Sequence, residues 1–288
     1  PFSCGVDSSY TILRHSRGLM GRRNRKIGAA LVMNGFDIWL DEKNAAAMYA
    51  GLLEGARAML KSINVPCIPL AGNFHELPTI WADSHGTHLA SGLMLFAGRF
   101  VEALIPNSTP YNVLEEPWGS HPACDPYMGG EHFRITDDAG ENARSEKIRL
   151  LSQWPEAMRH LRVCYSNPGN HENCCRCGKC IRTILVCRMV GIDRPEAFKK
   201  DVDNYHICRA KLYYELGLQS WTELRKELEA CGMGKTSWVK AMRTAERHCH
   251  RRRWMQAMKK PFIPLRNQLR KVFRGSALSK KQIANSQR

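Results

Sequence analysis

The 288-residue chain has no apolar run long enough to cross a bilayer. Its longest, LASGLMLFAG (Leu89 to Gly98), is half of the roughly 20 residues a spanning helix needs, so no membrane span is expected. It shows no internal repeat and no visible signal peptide. It also lacks the scattered cysteines of a disulfide framework: of twelve, five crowd between residues 164 and 180, which fits a metal site in a reducing cytoplasm better than a stapled secreted fold. Acidic residues are almost missing from one end. Residues 232 to 288 carry sixteen Lys and Arg against the single acid Glu246, a balance of +15 out of the total of +16, which leaves about +1 for the first 231 residues. The basicity therefore belongs to a tail rather than to the whole molecule.

What is present suffices for a substantial core, with 43% hydrophobic and 8% aromatic residues in one large domain with an appendage. The pattern alternates. SSYTILRH reads as a short helix, KIGAALVM (Lys26 to Met33) as a buried strand, Asn44 to Ile63 as an amphipathic helix and PCIPLAG as a short strand. A helix from about His85 to Ala97, a strand FVEALIP, a long Pro- and Gly-rich stretch, a helix near Ala143 to Gln153 and a last strand LRVCYS (Leu161 to Ser166) follow. Such alternation predicts an α/β fold, a mainly parallel sheet with helices on both faces, whose ligands sit at the carboxyl ends of the strands. Beyond Gly191 the chain reads as wholly helical.

The opening PFSCGVDSSY places a turn, Ser3 to Asp7, between a strand end at Phe2 and a helix start at Ser8. Converging main-chain N–H groups and the helix dipole make such a turn an anion site. Hydroxyls of Ser3, Ser8 and Ser9 add donors, and Asp7 can hold Mg2+. The competing reading is a plain capping turn in which Asp7 or Ser8 satisfies backbone donors. FSCGVDSS resembles the pyrophosphate-binding loop Ser-Gly-Gly-x-Asp-Ser of the N-type ATP pyrophosphatase (PP-loop, adenine nucleotide alpha hydrolase-like) superfamily, with Ser3, Gly5, Asp7 and Ser8 matching and Cys4 in place of the first glycine. A side chain there requires the backbone to avoid a glycine-only conformation. Cys4 reads as a packing residue in preference to an acidified thiol. The resemblance implies ATP and Mg2+ at Ser3, Cys4, Gly5, Val6, Asp7, Ser8 and Ser9, attack of an acceptor oxygen on the α-phosphate, and a further strand upstream of Pro1.

In LRVCYSNPGNHENCCRCGKCIRTILVC, Cys164, Cys174, Cys177 and Cys180 have the spacing of a four-sulfur metal site; Cys175 stands between two of them as a competitor, and His171 as a weaker alternative. Zn2+ is the expected ion, with an iron-sulfur cluster as the second choice. The distal cysteine followed by Asn173-Cys174 and two C-x-x-C steps resembles 7-cyano-7-deazaguanine synthase-like proteins over residues 1 to 191, with Cys175 in the usual Gly position. In such proteins a Lys-x-Glu segment meets phosphates. Arg144 and Glu146 occupy those positions, so Arg144 joins Asp7 as a catalytic candidate, while Lys147 reads as a solvated helix charge.

Between Pro117 and Gly130 a long loop offers Ser120, His121 and Asp125 as contacts to a small-molecule acceptor, or simply as turn residues. His85 and His88 face the nucleotide or sit in the first turn of their helix. The expected organisation is a nucleotide-binding domain at 1–163, a Cys4 loop and helix at 164–191, a helical region at 192–249 and a basic tail at 250–288. In the tail Leu265, Leu269, Val272 and Phe273 recur at helical spacing among arginines, suiting RNA phosphates, an anionic membrane surface or this protein's own domain. The function expected is ATP-dependent adenylation followed by C–N or C–S bond formation; the alternative is a non-catalytic zinc protein that binds nucleic acid.

Overall fold

The computed structural model describes residues 1–111, 118–164, 172–212 and 215–259. The α/β expectation holds. β1 (Ala30–Asn34) pairs in parallel with β2 (Cys67–Ala71), Ala30 opposite Cys67, and β3 (Glu102–Pro106) pairs in parallel with β4 (Arg134–Asp138), Glu102 opposite Arg134. β1 is apolar from Ala30 to Met33 because both of its faces are covered. Leu31 and Met33 pack with Ala90 and Leu93 of helix α3 (Trp81–Met94), whereas Ala30 and Val32 pack into the cluster built by α1 (Val6–Ser16) and α2 (Ala45–Ser62).

β4 is a strand where the sequence reads as loop. RITDD offers only one apolar residue, Ile135, to mark it, and Asp is a poor strand former; the strand exists because β3 supplies its partner and because Asp138 is held by α1. α3 begins at Trp81, four residues earlier than expected, so His85 lies in its second turn and not its first. Leu161 to Cys164 join neither named ladder: among the described residues their sheet-like bond is Arg162 N–H to Cys4 O, 2.8 Å, and Tyr165 and Ser166 lie outside the described residues.

Between β1 and β3 runs a slot of about 300 Å³, lined by Pro1, Phe2, Leu31, Phe100 and Ala103 among others. Phe2 N–H donates to Leu31 O at 2.7 Å, placing the start of the chain along β1 at the slot's mouth. At the carboxyl ends of β1 and β2 the backbone passes very close: a Cβ on Gly35, whose φ is +81°, would lie 1.8 Å from Gly72 O. Only glycine meets both demands.

α4 (Arg144–Leu151) and α5 (Pro155–His160) complete the α/β layer, with Glu146 accepting from Ala143 N–H at 2.8 Å at the start of α4. α6 (Gly178–Met189) leads to α7 (Asn204–Cys208), α8 (Glu215–Ala230) and α9 (Ser237–Lys259), and no strand follows Gly191 among the described residues. Trp221 is fully buried, its Nε1 donating to Met242 O at 3.3 Å, and Arg225 binds Glu229 and Glu246. One buried cluster runs without interruption from Phe2 through Leu151, Cys180 and Leu185 to Cys249. No helix among the described residues is long and apolar enough to cross a membrane. The amphipathic tail residues from Leu265 onward lie outside the described residues.

Candidate anion-binding site and metal centre

α1 starts at Val6 behind the extended residue Gly5, so the Ser3–Asp7 turn stands at a helix N-terminus. Ser8 Oγ accepts from Ser3 N–H at 3.3 Å and donates to Gly5 O at 3.3 Å, closing the turn on itself. Asp7 makes no capping bond. Among the described residues nothing accepts from the main-chain N–H groups of Cys4, Gly5, Val6, Asp7 or Ser8. Ser9 Oγ is buried and also without a partner.

Cys4 departs from expectation in one respect. Its φ is +56°, the left-handed region that glycine favours, entered by other residues at a cost of about 1–2 kcal/mol. The thiol is buried against Leu52 O, and burial pushes its pKa far up, which leaves it a packing group.

Positive charge gathers around Asp7, and not in the way the sequence suggested. Lys147 is not solvated: it is among the most buried side chains of the protein, with Nζ 2.9 Å from Asp7 Oδ1 and 2.7 Å from Asn107 O. Arg144 lies at 3.7 Å from Asp7 Oδ2 and donates to Thr183 Oγ1 at 3.2 Å, while its Nε is buried without a partner. Burial raises the Asp7 pKa, yet Lys147, Arg144 and Lys179 together outweigh it and hold the carboxyl below its ordinary range. Amides without an acceptor at a helix N-terminus could bind an anion, and here Asp7 in the same turn is paired with Lys147 and Arg144.

α1 is pinned by a residue that sequence reasoning missed. Asp138, at the end of β4, accepts from Thr11 Oγ1 at 2.7 Å, Arg14 Nε at 3.1 Å, Arg14 Nη2, and His15 Nε2 at 3.2 Å. His15 Nδ1 accepts from Arg25 N–H at 3.1 Å, which fixes the proton on Nε2. Burial works to raise the Asp138 pKa, but these donors bring it down to about 2. No sequence signal marks Asp138, because Asp-Asp-Ala-Gly reads equally well as a turn.

The remaining candidates are placed as follows. Asp125 is fully buried and accepts from Ser120 Oγ at 2.7 Å and His121 N–H at 2.9 Å, so these three residues bind one another. His88 is buried against Phe74 and Trp81, with Nε2 3.4 Å from Thr79 Oγ1. His85 packs on Trp118.

The Sγ atoms of Cys164, Cys174, Cys177 and Cys180 all lie within 4.8 Å of one another. Cys164–Cys177 and Cys174–Cys180 are 3.9 Å apart and Cys177–Cys180 3.5 Å. A zinc tetrahedron with Zn–S bonds of about 2.3 Å has edges of about 3.8 Å, so the four sulfurs fit such an ion, and the cluster could hold a metal. Cys174 Sγ accepts from Arg176 N–H at 3.4 Å and Cys177 N–H at 3.3 Å, which suits a thiolate. Hydrogen bonds within the cluster, that with Cys164 first, push the Cys174 thiol far below its ordinary range. Cys175, at φ +58°, turns its Sγ toward Asn173 O instead and stays out of the cluster. Asn173 staples the loop: its Oδ1 accepts from Val163 N–H at 2.9 Å and its Nδ2 donates to Leu161 O at 2.7 Å. His171 lies outside the described residues.

Compared with protein-family models, with curated proteins and with solved structures, the chain matches none.

Proposed function

We propose that the protein is an ATP-dependent enzyme of the PP-loop type, resembling 7-cyano-7-deazaguanine synthase-like proteins, that transfers AMP to an acceptor oxygen and then forms a C–N or C–S bond. The observation that carries this reading is the row of amides from Cys4 to Ser8 for which no acceptor is found among the described residues, in a turn whose Asp7 is paired with Lys147 and Arg144. In this reading the amides and Lys147 hold the outer phosphates of ATP. The acceptor oxygen attacks the α-phosphorus, the bond to the bridging oxygen breaks, and pyrophosphate leaves with its negative charge met by the donors that bound it. A nitrogen or sulfur nucleophile then displaces AMP. Asp7 would hold Mg2+, which would supply positive charge to offset that of the phosphates. Zn2+ at the four cysteines would have a structural role.

The adenine nucleotide alpha hydrolase-like fold belongs to the same proposal. What supports it is the two parallel strand pairs, β1 with β2 and β3 with β4, with helices packed on β1 from both sides. The test is release of pyrophosphate from radiolabelled ATP by the full-length protein in the presence of candidate acceptors. Release that requires an acceptor supports the reading; none with any acceptor overturns it.

One observation favours a second reading, a nucleic-acid-binding zinc protein. After Cys249 no described side chain of α9 is buried, and His250, Arg251, Arg252, Arg253 and Trp254 are all exposed. Arginines beside an open indole suit phosphates and a stacked base. Tight RNA binding that weakens steeply with salt, without pyrophosphate release, favours this alternative.

A further inference from the structure

We propose that the end of α9 is a docking face for an anionic lipid bilayer, on which Trp254 and Met258 enter the headgroup layer while Arg247, Arg251 and Arg252 meet the lipid phosphates. The inference is independent of the ATP reading, and it competes with the nucleic-acid alternative for the same residues.

α9 packs on the protein only as far as Cys249. Val239, Met242, Ala245 and Cys249 are buried, and the described side chains beyond them are all exposed. Trp254 keeps 65% of its surface exposed, Met255 38% and Met258 54%. At 3.6 residues per turn, Trp254 and Met258 lie one above the other on the side of the helix turned away from the fully buried Ala245, and Arg247 and Arg251 share that side.

The charge on this face is not answered from within the chain. Among the described residues Arg247, Arg251 and Arg252 make no ion pair, because the nearby acids are engaged elsewhere: Glu246 with Arg225, and Glu229 with Arg225 and Arg243. From Arg247 to the end of the sequence there are thirteen Lys and Arg and no acid. Such a run complements a surface of anionic headgroups.

The apolar residues favour a bilayer over a nucleic acid. Trp254 alone could stack on a base, and two exposed methionines add nothing to phosphate binding. An indole and flexible thioether chains do bury at the boundary between headgroups and acyl chains. In the sequence the mixture of basic and large apolar residues continues through Phe262, Ile263 and Leu265 to Phe273, which lie outside the described residues. No described helix is long and apolar enough to span the membrane, so the contact proposed is in the plane of its surface.

The test is co-sedimentation of the full chain with vesicles of phosphatidylcholine containing about 30% phosphatidylserine, and with vesicles of phosphatidylcholine alone. Binding to the mixed vesicles is expected to be at least about tenfold tighter. R251Q/R252Q should weaken it about 25-fold, about fivefold for each charge lost, and W254S/M258S about tenfold or more. K226Q, at an exposed lysine of α8, should bind like the wild type. Brominated acyl chains should quench the tryptophan fluorescence of the wild type more than that of W254F. These substitutions fall on exposed side chains, so urea midpoints should not move. Equal binding to both kinds of vesicle overturns the charge argument, and wild-type binding by W254S/M258S, or equal quenching in W254F, overturns the insertion of this face. Failure to bind vesicles, with salt-sensitive binding of a single-stranded RNA oligomer, overturns the proposal in favour of a nucleic acid.

Discussion

Replacing Lys147 with methionine keeps the buried stem and removes the charge, so it isolates what the ammonium group does. The group touches two partners, Asp7 at 2.9 Å and Asn107 O at 2.7 Å. Deleting one member of a buried ion pair costs about 3–5 kcal/mol, because the other is left charged in a poor solvent. Here the penalty is reduced, since the Asp7 side chain keeps 21% exposure and a second cation, Arg144, at 3.7 Å. About 2–3 kcal/mol of lost stability is expected at pH 7. The pH dependence gives an independent check. Asp7 has a depressed pKa in the folded protein, so its contribution is present above the unfolded value of about 3.9 and is lost as pH falls through the folded value. The gap between wild type and K147M should therefore be full at pH 7 and should narrow below about pH 4. Urea unfolding at pH 7, 5 and 3, with D7N and the double variant D7N/K147M, measures both effects. A gap below about 0.5 kcal/mol at pH 7, or one that is as wide at pH 3 as at pH 7, refutes the argument that the pair is buried and coupled.

Other outcomes follow from the same geometry. The Asp138 carboxyl, held at about pKa 2, should make D138N less stable than the wild type at pH 5 to 8, a difference that fades as pH falls from about 4 toward 2; acid titrations of both proteins followed by circular dichroism check it. C164S or C177S should lower bound zinc from one equivalent toward none, measured by a chromogenic chelator, whereas C175S should keep it, because only Cys175 is turned out of the cluster. At the left-handed Cys4, C4G should change stability by less than about 1 kcal/mol, relief of backbone strain offsetting lost packing, while the β-branched C4V should cost about 2 kcal/mol or more, both from urea midpoints. W221A should lose about 3–5 kcal/mol through the emptied core site.

The elements that the sequence discloses are those whose pattern is local. α2 shows itself because an Ala- and Leu-rich segment of 18 residues leaves Met48, Leu52, Ala56 and Met59 on one face. The cysteine cluster shows itself because C-x-x-C spacing is written in the chain before it folds, although only the backbone at Cys175 decides which of two adjacent thiols joins it. β4 stays hidden because its stability comes from β3 and from Arg14 and Thr11, more than a hundred residues away in sequence. The place of Lys147 stays hidden for the same reason. A lysine on a charged helix turn looks solvated until α1 and Asn107 close over it, and the long loop's Asp125 looks available until Ser120 and His121 occupy it.

The buried cluster that runs from Phe2 to Cys249 has a bearing on any attempt to dissect this molecule. A cut near Gly191, where the composition changes, would strip Leu218, Trp221, Leu224 and Leu228 from the apolar surface they share with α6 and leave both halves with sticky, unmatched faces. The C-terminal helices are thus part of the hull and not cargo lashed to the deck: the two pieces should be sparingly soluble apart, and should regain native solubility only when produced together.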